Sequence, residues 1–380
     1  MKKIAIIGST GSVGQNALCI IEAHKEKFKV VGLTANTNVG LLGKQVNMFK
    51  PRIAAIGEKA QYGELKKNIK KKCKILLGRD GISHVAQMKD ADMVIIASSG
   101  SSGLFPLIAA IKAKKQIALA NKESIVSAGD IVMRLAKKMG VKIIPIDSEH
   151  NSIFQCIMGE DKKNIKKIFL MGTGGPLLDV PRPLFGKLKP RQVLAHPVWK
   201  MGKKITVDSA TMMNKGLEII EASHLFEIDS SKISVLIHRE AIIHSMVEFA
   251  DGNIMANLFV PDMKMPIFYA LNYPKRQASR MDGLNFLKIK KFSFEKPDYK
   301  KFPSLGICYK AAASGGTYPA ALTSANEEAV SLYLAGKIGF TDIIKLVEKV
   351  LSRHKSTTTP SLRDIFYTDK WAKEETKILC

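Results

Sequence analysis

The chain is short of the features that mark a small secreted protein or a membrane span. Its five cysteines (Cys19, Cys73, Cys156, Cys308 and Cys380) are scattered over 380 residues, and no Cys-x-x-Cys pair occurs. That pattern excludes a zinc ribbon and a disulfide framework, and it fits a reducing compartment. No apolar run approaches the roughly 20 residues needed to cross a bilayer. Met1-Lys2-Lys3 followed by apolar 4–7 imitates a signal peptide. The apolar stretch is too short, however, and runs into Gly8-Ser9-Thr10-Gly11. It reads as a first strand of a cytoplasmic protein. Acidic residues are also few, and the formal charge is +25. The longest basic cluster, 66–74, has no interleaved aromatics. The excess therefore reads as solvated lysine-rich faces, with no nucleic-acid or membrane partner expected, and it would draw in an anionic phosphate substrate.

What is present is ample apolar matter, 46% of a chain long enough for two or three domains. Short apolar, β-branched runs stand at 4–7, 30–34, 53–56, 75–77, 93–97, 117–119 and 142–146. Helical patterns such as 107–115 and 125–138 separate several of them. The fold class is α/β, with an N-terminal doubly wound parallel sheet over 1–147. Residues 148–273 mix strands (168–171, 235–237) with a helix at 217–226, and read as an α+β domain with functional loops. Residues 274–302 look like a linker, and 303–380 carry helical periods at 320–334, 341–353 and 362–375, a C-terminal helical bundle. No internal repeat is visible.

Gly8-Ser9-Thr10-Gly11-Ser12-Val13-Gly14 lies between the first strand and a helix. Glycines there let the backbone approach a pyrophosphate, and the helix start offers amide donors. The spacing is Gly-x-x-Gly-x-x-Gly, and the strand–turn–helix setting is what gives it weight over a plain tight turn. The second strand ends in Thr34-Ala35-Asn36-Thr37-Asn38, with no carboxylate to repel a 2′-phosphate, which favours NADP. Asn121-Lys122-Glu123 follows the sixth run, at the sheet edge where α/β proteins bind ligands. There Lys122 would hold a substrate oxygen and Asn121 the nicotinamide end; the alternative is a helix start capped by Asn121.

Asp147-Ser148-Glu149-His150 is read as the end of the last strand, placing Asp147 and Glu149 on one side of it. Oxygen ligands of this kind suit Mg²⁺ or Mn²⁺. If Asp208 to Glu218 enters a helix, Asn214, Lys215 and Glu218 share a face. Surface pairing of Lys215 with Glu218 would leave Ser209 and Asn214 without a role; a phosphosugar site uses all four. Gly172-Thr173-Gly174-Gly175-Pro176 is either a phosphate cradle or an ordinary turn. The loop from Ala195 to Lys203 holds one of only two tryptophans and has a lid's composition. His244, alternating with apolar neighbours, reads as a satisfied strand histidine.

Taken in order, Gly8 to Gly14, Asn121-Lys122-Glu123-Ser124, Asp147-Ser148-Glu149-His150-Asn151, Thr173-Gly174-Gly175-Pro176, His196-Pro197-x-Trp199-x-Met201-Gly202-Lys203 and Val207 to Glu218 resemble the 1-deoxy-D-xylulose 5-phosphate reductoisomerase family. Residues 242–247 and Ala325-Asn326-Glu327 extend the likeness, which covers nearly the whole chain. The resemblance implies a homodimer with a Rossmann-like NADPH domain, a catalytic domain and a helical C-terminal domain. It implies that Thr10, Gly11, Ser12 and Val13 bind the pyrophosphate, and that Asn36, Thr37 and Asn38 sit at the adenosine ribose. Asn121, Glu123 and Gly202 would also contact the cofactor. Asp147, Glu149 and Glu218 would bind the metal. Lys122, Ser148 and Glu149 would hold the substrate backbone, and Thr173, His196, Ser209, Asn214 and Lys215 would complete the site around its phosphate, with Glu218 beside them. Catalysis would rest on Lys122, Glu149 and His196, with His196, Trp199 and Met201 in a closing lid. The implied chemistry is a metal-assisted rearrangement of the phosphosugar to an aldehyde, then hydride transfer from NADPH.

Three departures from the family pattern stand out. Thr37 occupies a place where a basic residue is common, Thr173 replaces a serine, and His238-Arg239-Glu240 replaces a His-Pro-Gln stretch. Two rival readings remain. A semialdehyde dehydrogenase needs a nucleophilic cysteine, for which Cys156 is the candidate near the motifs. A nucleic-acid-binding protein would explain the charge and would leave Asp147, Glu149 and Glu218 unused.

Overall fold

A computed structural model describes residues 1–199 and 201–380, and the chain divides into two compact units. The first comprises Met1–Ser124, Val132–Ser148 and Met263–Met281. Its sheet has seven strands: β1 (Lys2–Ile7), β2 (Phe28–Ala35), β3 (Ile53–Ile56), β4 (Lys74–Leu77), β5 (Met93–Ile96), β6 (Gln116–Leu119) and β7 (Ile143–Pro145). All neighbours are parallel, in the order β4-β3-β2-β1-β5-β6-β7. Strands covered on both faces are apolar throughout rather than alternating, and Ile4 to Ile7 of β1 are all buried. The winding direction reverses between β1 and β5, which opens a crevice at their carboxyl ends. The turn after β1 is pinned there. Gly8 N donates to Thr34 Oγ1 at 3.0 Å, and Ser9 and Gln45 exchange bonds of 2.7 and 2.9 Å.

The strand runs were legible, but the domain limit read at 147 leaves out one element of this unit. Helix Lys264–Asn272 puts Ile267, Phe268 and Leu271 into the same core as Ile4, Ile6, Leu33 and Ile95. Lys2 Nζ donates to the Leu271 carbonyl at 2.9 Å. The segment is apolar on most sides, so it must be covered, and the sheet face covers it.

The second unit comprises Ile125–Ile131, Glu149–Asp262 and Asp282–Cys380. Its sheet contains β8 (Ile165–Gly172), β9 (Ile233–Ile237), β10 (Ile243–Phe249) and β11 (Ile254–Leu258), ordered β11-β10-β8-β9. β8 and β9 run parallel; β10 runs antiparallel to both β8 and β11. Four helices end the chain: Ser304–Ser314, Tyr318–Leu334, Phe340–Arg353 and Leu362–Ile378. The last three match the sequence periods; the first is short and small-residue-rich, and has no clean apolar stripe. Among the described residues no helix is long and apolar enough to cross a membrane.

One local expectation is corrected. β7 ends at Pro145, and Ser148–Cys156 is a helix with Glu149 in its first turn. Asp147 and Glu149 therefore do not share a strand face. A serine followed by an acid is a helix-start signal, and it won over strand continuation.

Candidate active site

The cofactor-side candidates other than Gly202 lie on the first unit. Helix Ser12–Ala23 starts at Gly11, which supplies no side-chain cap. Its first amides, those of Ser12 and Val13, are left to solvent or an anion, with Thr10 just upstream. Asn36, Thr37 and Asn38 are exposed past the end of β2, and Asn38 caps helix Val39–Phe49 through Leu41 N at 3.1 Å. Asn121 caps helix Lys122–Met139 through Ser124 N, so the helix-start reading is realised. The same amide group donates to the carbonyls of Ser98 and Gly100, both at 2.9 Å, and lies 3.0 Å from Glu123 Oε2. Asn121 thus also fixes the turn after β5, beside the crevice. Lys122 Nζ donates to Asp147 Oδ2 at 2.9 Å, in a pair largely out of solvent. Ser148, buried, opens the next helix.

The second unit holds the phosphosugar candidates. Helix Met213–Phe226 carries Asn214, Lys215 and Glu218 on one face, as their spacing requires. Asn214 Nδ2 donates to Glu218 Oε1 at 2.5 Å, and Lys215 Nζ donates to Glu218 Oε2. Lys215 Nζ also lies 3.1 Å from Glu149 Oε1. Lys215 is 6% exposed and Glu218 1%, so this is no surface pair. Two carboxylates converge from different helices on one positive charge. An all-oxygen donor set with a cation at its focus fits a hard divalent ion.

Thr173, Gly174 and Gly175 leave the end of β8. Gly175 has φ +70°, and a Cβ there would lie 2.5 Å from the Ser209 carbonyl and 3.1 Å from Ser209 Oγ. Only glycine lets this loop lie against Ser209. Gly175 N donates to Thr173 Oγ1 at 3.3 Å, and Thr173 Oγ1 is 3.3 Å from His196 Nε2. His196 Nδ1 accepts from Val198 N (3.2 Å) and Trp199 N (2.9 Å). A neutral ring then carries its proton on Nε2. Partial burial pushes its pKa down to about 4, so the ring is a neutral Nε2–H donor at neutral pH. Trp199 packs near His244, with ring centroids 6.2 Å apart. His244 stacks on Phe259 and bonds its carbonyl, as a strand histidine should. Gly202 precedes helix Lys203–Ala210, whose last turn carries Ser209. Lys200, within the lid motif, lies outside the described residues.

One anchor escaped the sequence reading. Asp208, 1% exposed, accepts from Asn326 Nδ2 at 2.8 Å and pairs with Lys204 Nζ at 2.8 Å. It ties the Ser209 turn to helix Tyr318–Leu334. The signal was an acid between Val207 and Ala210 on the buried side of a short helix; its partner 118 residues away had no local signature. The rival nucleophile is also resolved: burial pushes the Cys156 thiol up to about 11, so it is no thiolate.

A nucleotide-type crevice after β1, together with carboxylates gathered on a buried lysine, is the chemistry of a dinucleotide- and metal-dependent oxidoreductase. Three family descriptions match in sequence order: "1-deoxy-D-xylulose 5-phosphate reductoisomerase" over 4–129, its C-terminal domain over 143–226, and "DXP reductoisomerase C-terminal domain" over 258–375. The chain belongs to the 1-deoxy-D-xylulose 5-phosphate reductoisomerase family. It is 48% identical to 1-deoxy-D-xylulose 5-phosphate reductoisomerase 1 of Bacillus cereus over 374 residues, 98% of this chain and 97% of the relative. The enzyme of Microcystis aeruginosa is 45% identical over 99% of this chain and 97% of its own. The solved structure of 1-deoxy-D-xylulose 5-phosphate reductoisomerase from Zymomonas mobilis in complex with NADPH superposes with TM-score 0.92 at 39% identity, covering 100% of this chain and 98% of that one. A reductoisomerase in complex with NADPH, fosmidomycin and magnesium gives 0.94 at 37%, covering 100% and 99%.

Proposed function

We propose that Asp147, Glu149 and Glu218 hold a divalent cation, Mg²⁺ or Mn²⁺, beside a phosphosugar, and that the residues around them carry out the family's reaction. That reaction is the NADPH- and metal-dependent conversion of 1-deoxy-D-xylulose 5-phosphate to 2-C-methyl-D-erythritol 4-phosphate, and the chain is an oxidoreductase of this kind. The observation that supports the metal assignment best is buried Lys215 with its ammonium between Glu149 and Glu218. Asp147 is two residues before Glu149, so the covalent chain holds their Cα atoms within about 7 Å of each other. The ion, when bound, supplies Lewis-acid polarisation of the substrate's ketone and adjacent hydroxyl.

The protein's part is binding, orientation and exclusion of water. Lys122 and Ser148 hold the substrate's oxygens, and Glu149 orients its backbone. Thr173, Ser209, Asn214 and Lys215 take the phosphate, with His196 donating through Nε2–H. Thr10 to Val13 receive the pyrophosphate; Asn36 to Asn38, Asn121, Glu123 and Gly202 contact the rest of NADPH. His196, Trp199 and Met201 close over the bound pair, holding the aldehyde against the nicotinamide. In this scheme 1–147 is the NADPH domain, completed by helix Lys264–Asn272; the rest of 148–273 is the catalytic domain, 274–302 a linker and 303–380 the helical domain.

The first test is NADPH oxidation at 340 nm with 1-deoxy-D-xylulose 5-phosphate, with Mn²⁺ or Mg²⁺ and again with EDTA. Oxidation that EDTA abolishes, with methylerythritol phosphate as product, is expected. Oxidation that survives EDTA would remove the carboxylate assignment.

We also propose a homodimer in the cytoplasm. Edge strand β11 presents Ile254 and Met255, 53% and 44% exposed, and a bare edge with apolar side chains is poorly tolerated alone. All five cysteines are free, as a reducing compartment requires. Light scattering after size exclusion should return twice the chain mass at micromolar concentration; a monomer there would end the dimer reading.

A further inference from the structure

The His238-Arg239-Glu240 stretch, where the family pattern has His-Pro-Gln, sits between β9 and β10 and is fully engaged. Arg239 sends Nη1 and Nη2 to Asp179 Oδ2 and Oδ1 at 2.8 and 2.9 Å, a bidentate fork. Its Nε donates to Glu295 Oε1 at 2.6 Å, and Nη2 lies 3.4 Å from Glu295 Oε2. Two N–H edges of one guanidinium are therefore used, which a proline or a lysine cannot do. The Asp179 carboxyl is held below its usual range by the Arg239 hydrogen bonds, and the guanidinium is raised by Asp179 and then Glu295.

The two partners belong to segments with different duties. Glu295 is fixed to the sheet, exchanging backbone bonds of 2.8 and 2.9 Å with Ile237. Glu240 adds to that anchorage, accepting from Ser293 Oγ at 2.8 and 2.9 Å, and His238 Nδ1 bonds the Ser293 carbonyl at 3.0 Å. Asp179 instead ends the glycine loop, four residues after Gly175. At its other end that loop presses on Ser209 through Gly175 and reaches His196 through Thr173. Lys301 Nζ donates to the Leu178 carbonyl at 2.6 Å, beside the Asp179 end of the loop.

We propose that Arg239 is a positioning residue for substrate binding: it staples the glycine loop to the sheet-bound 293–295 segment and so sets Thr173 against His196 and Gly175 against Ser209. The inference rests on the phosphate role given to that loop above. An isolated exposed ion pair is worth little. Here the contribution is geometric, because the fork fixes the exposed end of a loop with two left-handed glycines, whose other end is buried. The clamp lies at the surface, with Asp179 77% exposed, so salt screens it.

Arg239→Met keeps most of the stem's length and removes the fork. At low salt its KM for 1-deoxy-D-xylulose 5-phosphate should rise about fivefold, with kcat and the KM for NADPH within about twofold of wild type. Arg239→Lys should recover only part, and Asp179→Asn should match Arg239→Met without adding to it. Raising salt should narrow the difference between wild type and Arg239→Met, which a general fold defect would not do. Trypsin cleavage after exposed Lys187, downstream of the loop, should be faster in both variants than in wild type; this reading needs no activity. Should wild type fail to turn over the substrate, the functional reading is at fault while the cleavage rates still judge the clamp. An unchanged KM at low salt, or strictly additive Arg239→Met and Asp179→Asn effects, overturns the positioning role. Unchanged cleavage overturns the staple itself.

Discussion

Replacing Glu218 with glutamine should lower kcat about a thousandfold, a loss of roughly 4 kcal/mol of transition-state stabilisation, while NADPH affinity stays as it was. The amide keeps the carboxylate's shape and an oxygen to accept from Asn214 or Lys215. It loses the negative charge, and with it a ligand for a hard cation. Lys215 would keep Glu149 at 3.1 Å, so its buried charge is not stranded, and the helix should hold. Steady-state turnover at saturating Mn²⁺, together with a fluorescence titration of NADPH, checks both halves. Near-normal turnover would remove Glu218 from the metal set. Weakened NADPH binding would mean that the substitution disturbs more than the cation site.

A single methyl group at Gly14 should act on the other end of the reaction. A Cβ there would lie 2.4 Å from the Gly8 carbonyl oxygen, 2.6 Å from Ser9 Cα and 2.8 Å from the Ser9 carbonyl carbon. All three are backbone atoms, so no side chain can swing away. Gly14→Ala must push helix Ser12–Ala23 off the turn that follows β1, where Ser9 is already locked to Gln45. We expect a destabilisation of about 3 kcal/mol and no measurable NADPH binding at concentrations that saturate wild type. Scanning calorimetry and the same fluorescence titration test this. Wild-type affinity in Gly14→Ala would show that the third glycine of the turn does not set the approach of helix to strand.

How much of this was legible beforehand differs by element. All seven strands of the nucleotide sheet announced themselves, because strands covered on both faces must be continuously apolar. The face shared by Asn214, Lys215 and Glu218 followed from helical spacing alone. Asp147 and Glu149 were found as residues but given the wrong local structure, since a four-residue window does not separate a strand end from a helix start. Asn121 was offered two roles, cap or ligand, and its geometry serves the cap while also fixing the turn beside the crevice. The Asp208–Asn326 anchor and the Arg239 fork stayed hidden for another reason. Each is a side-chain match between distant segments, and neither leaves a period or a motif. His196 was singled out by its motif, yet its tautomer could come only from the two amides that point at Nδ1.

Helix Lys264–Asn272 also imposes a schedule on biosynthesis. The last strand of the nucleotide sheet is complete at Pro145, but Ile267 and Leu271, which finish the core behind that sheet, are made much later. At about 5–20 residues per second, the emerging chain waits on the order of ten seconds with an apolar sheet face uncovered. During that wait the ribosome-bound chain offers a holding chaperone an apolar target, and the cofactor fold closes only when a later stretch of polypeptide comes back to it.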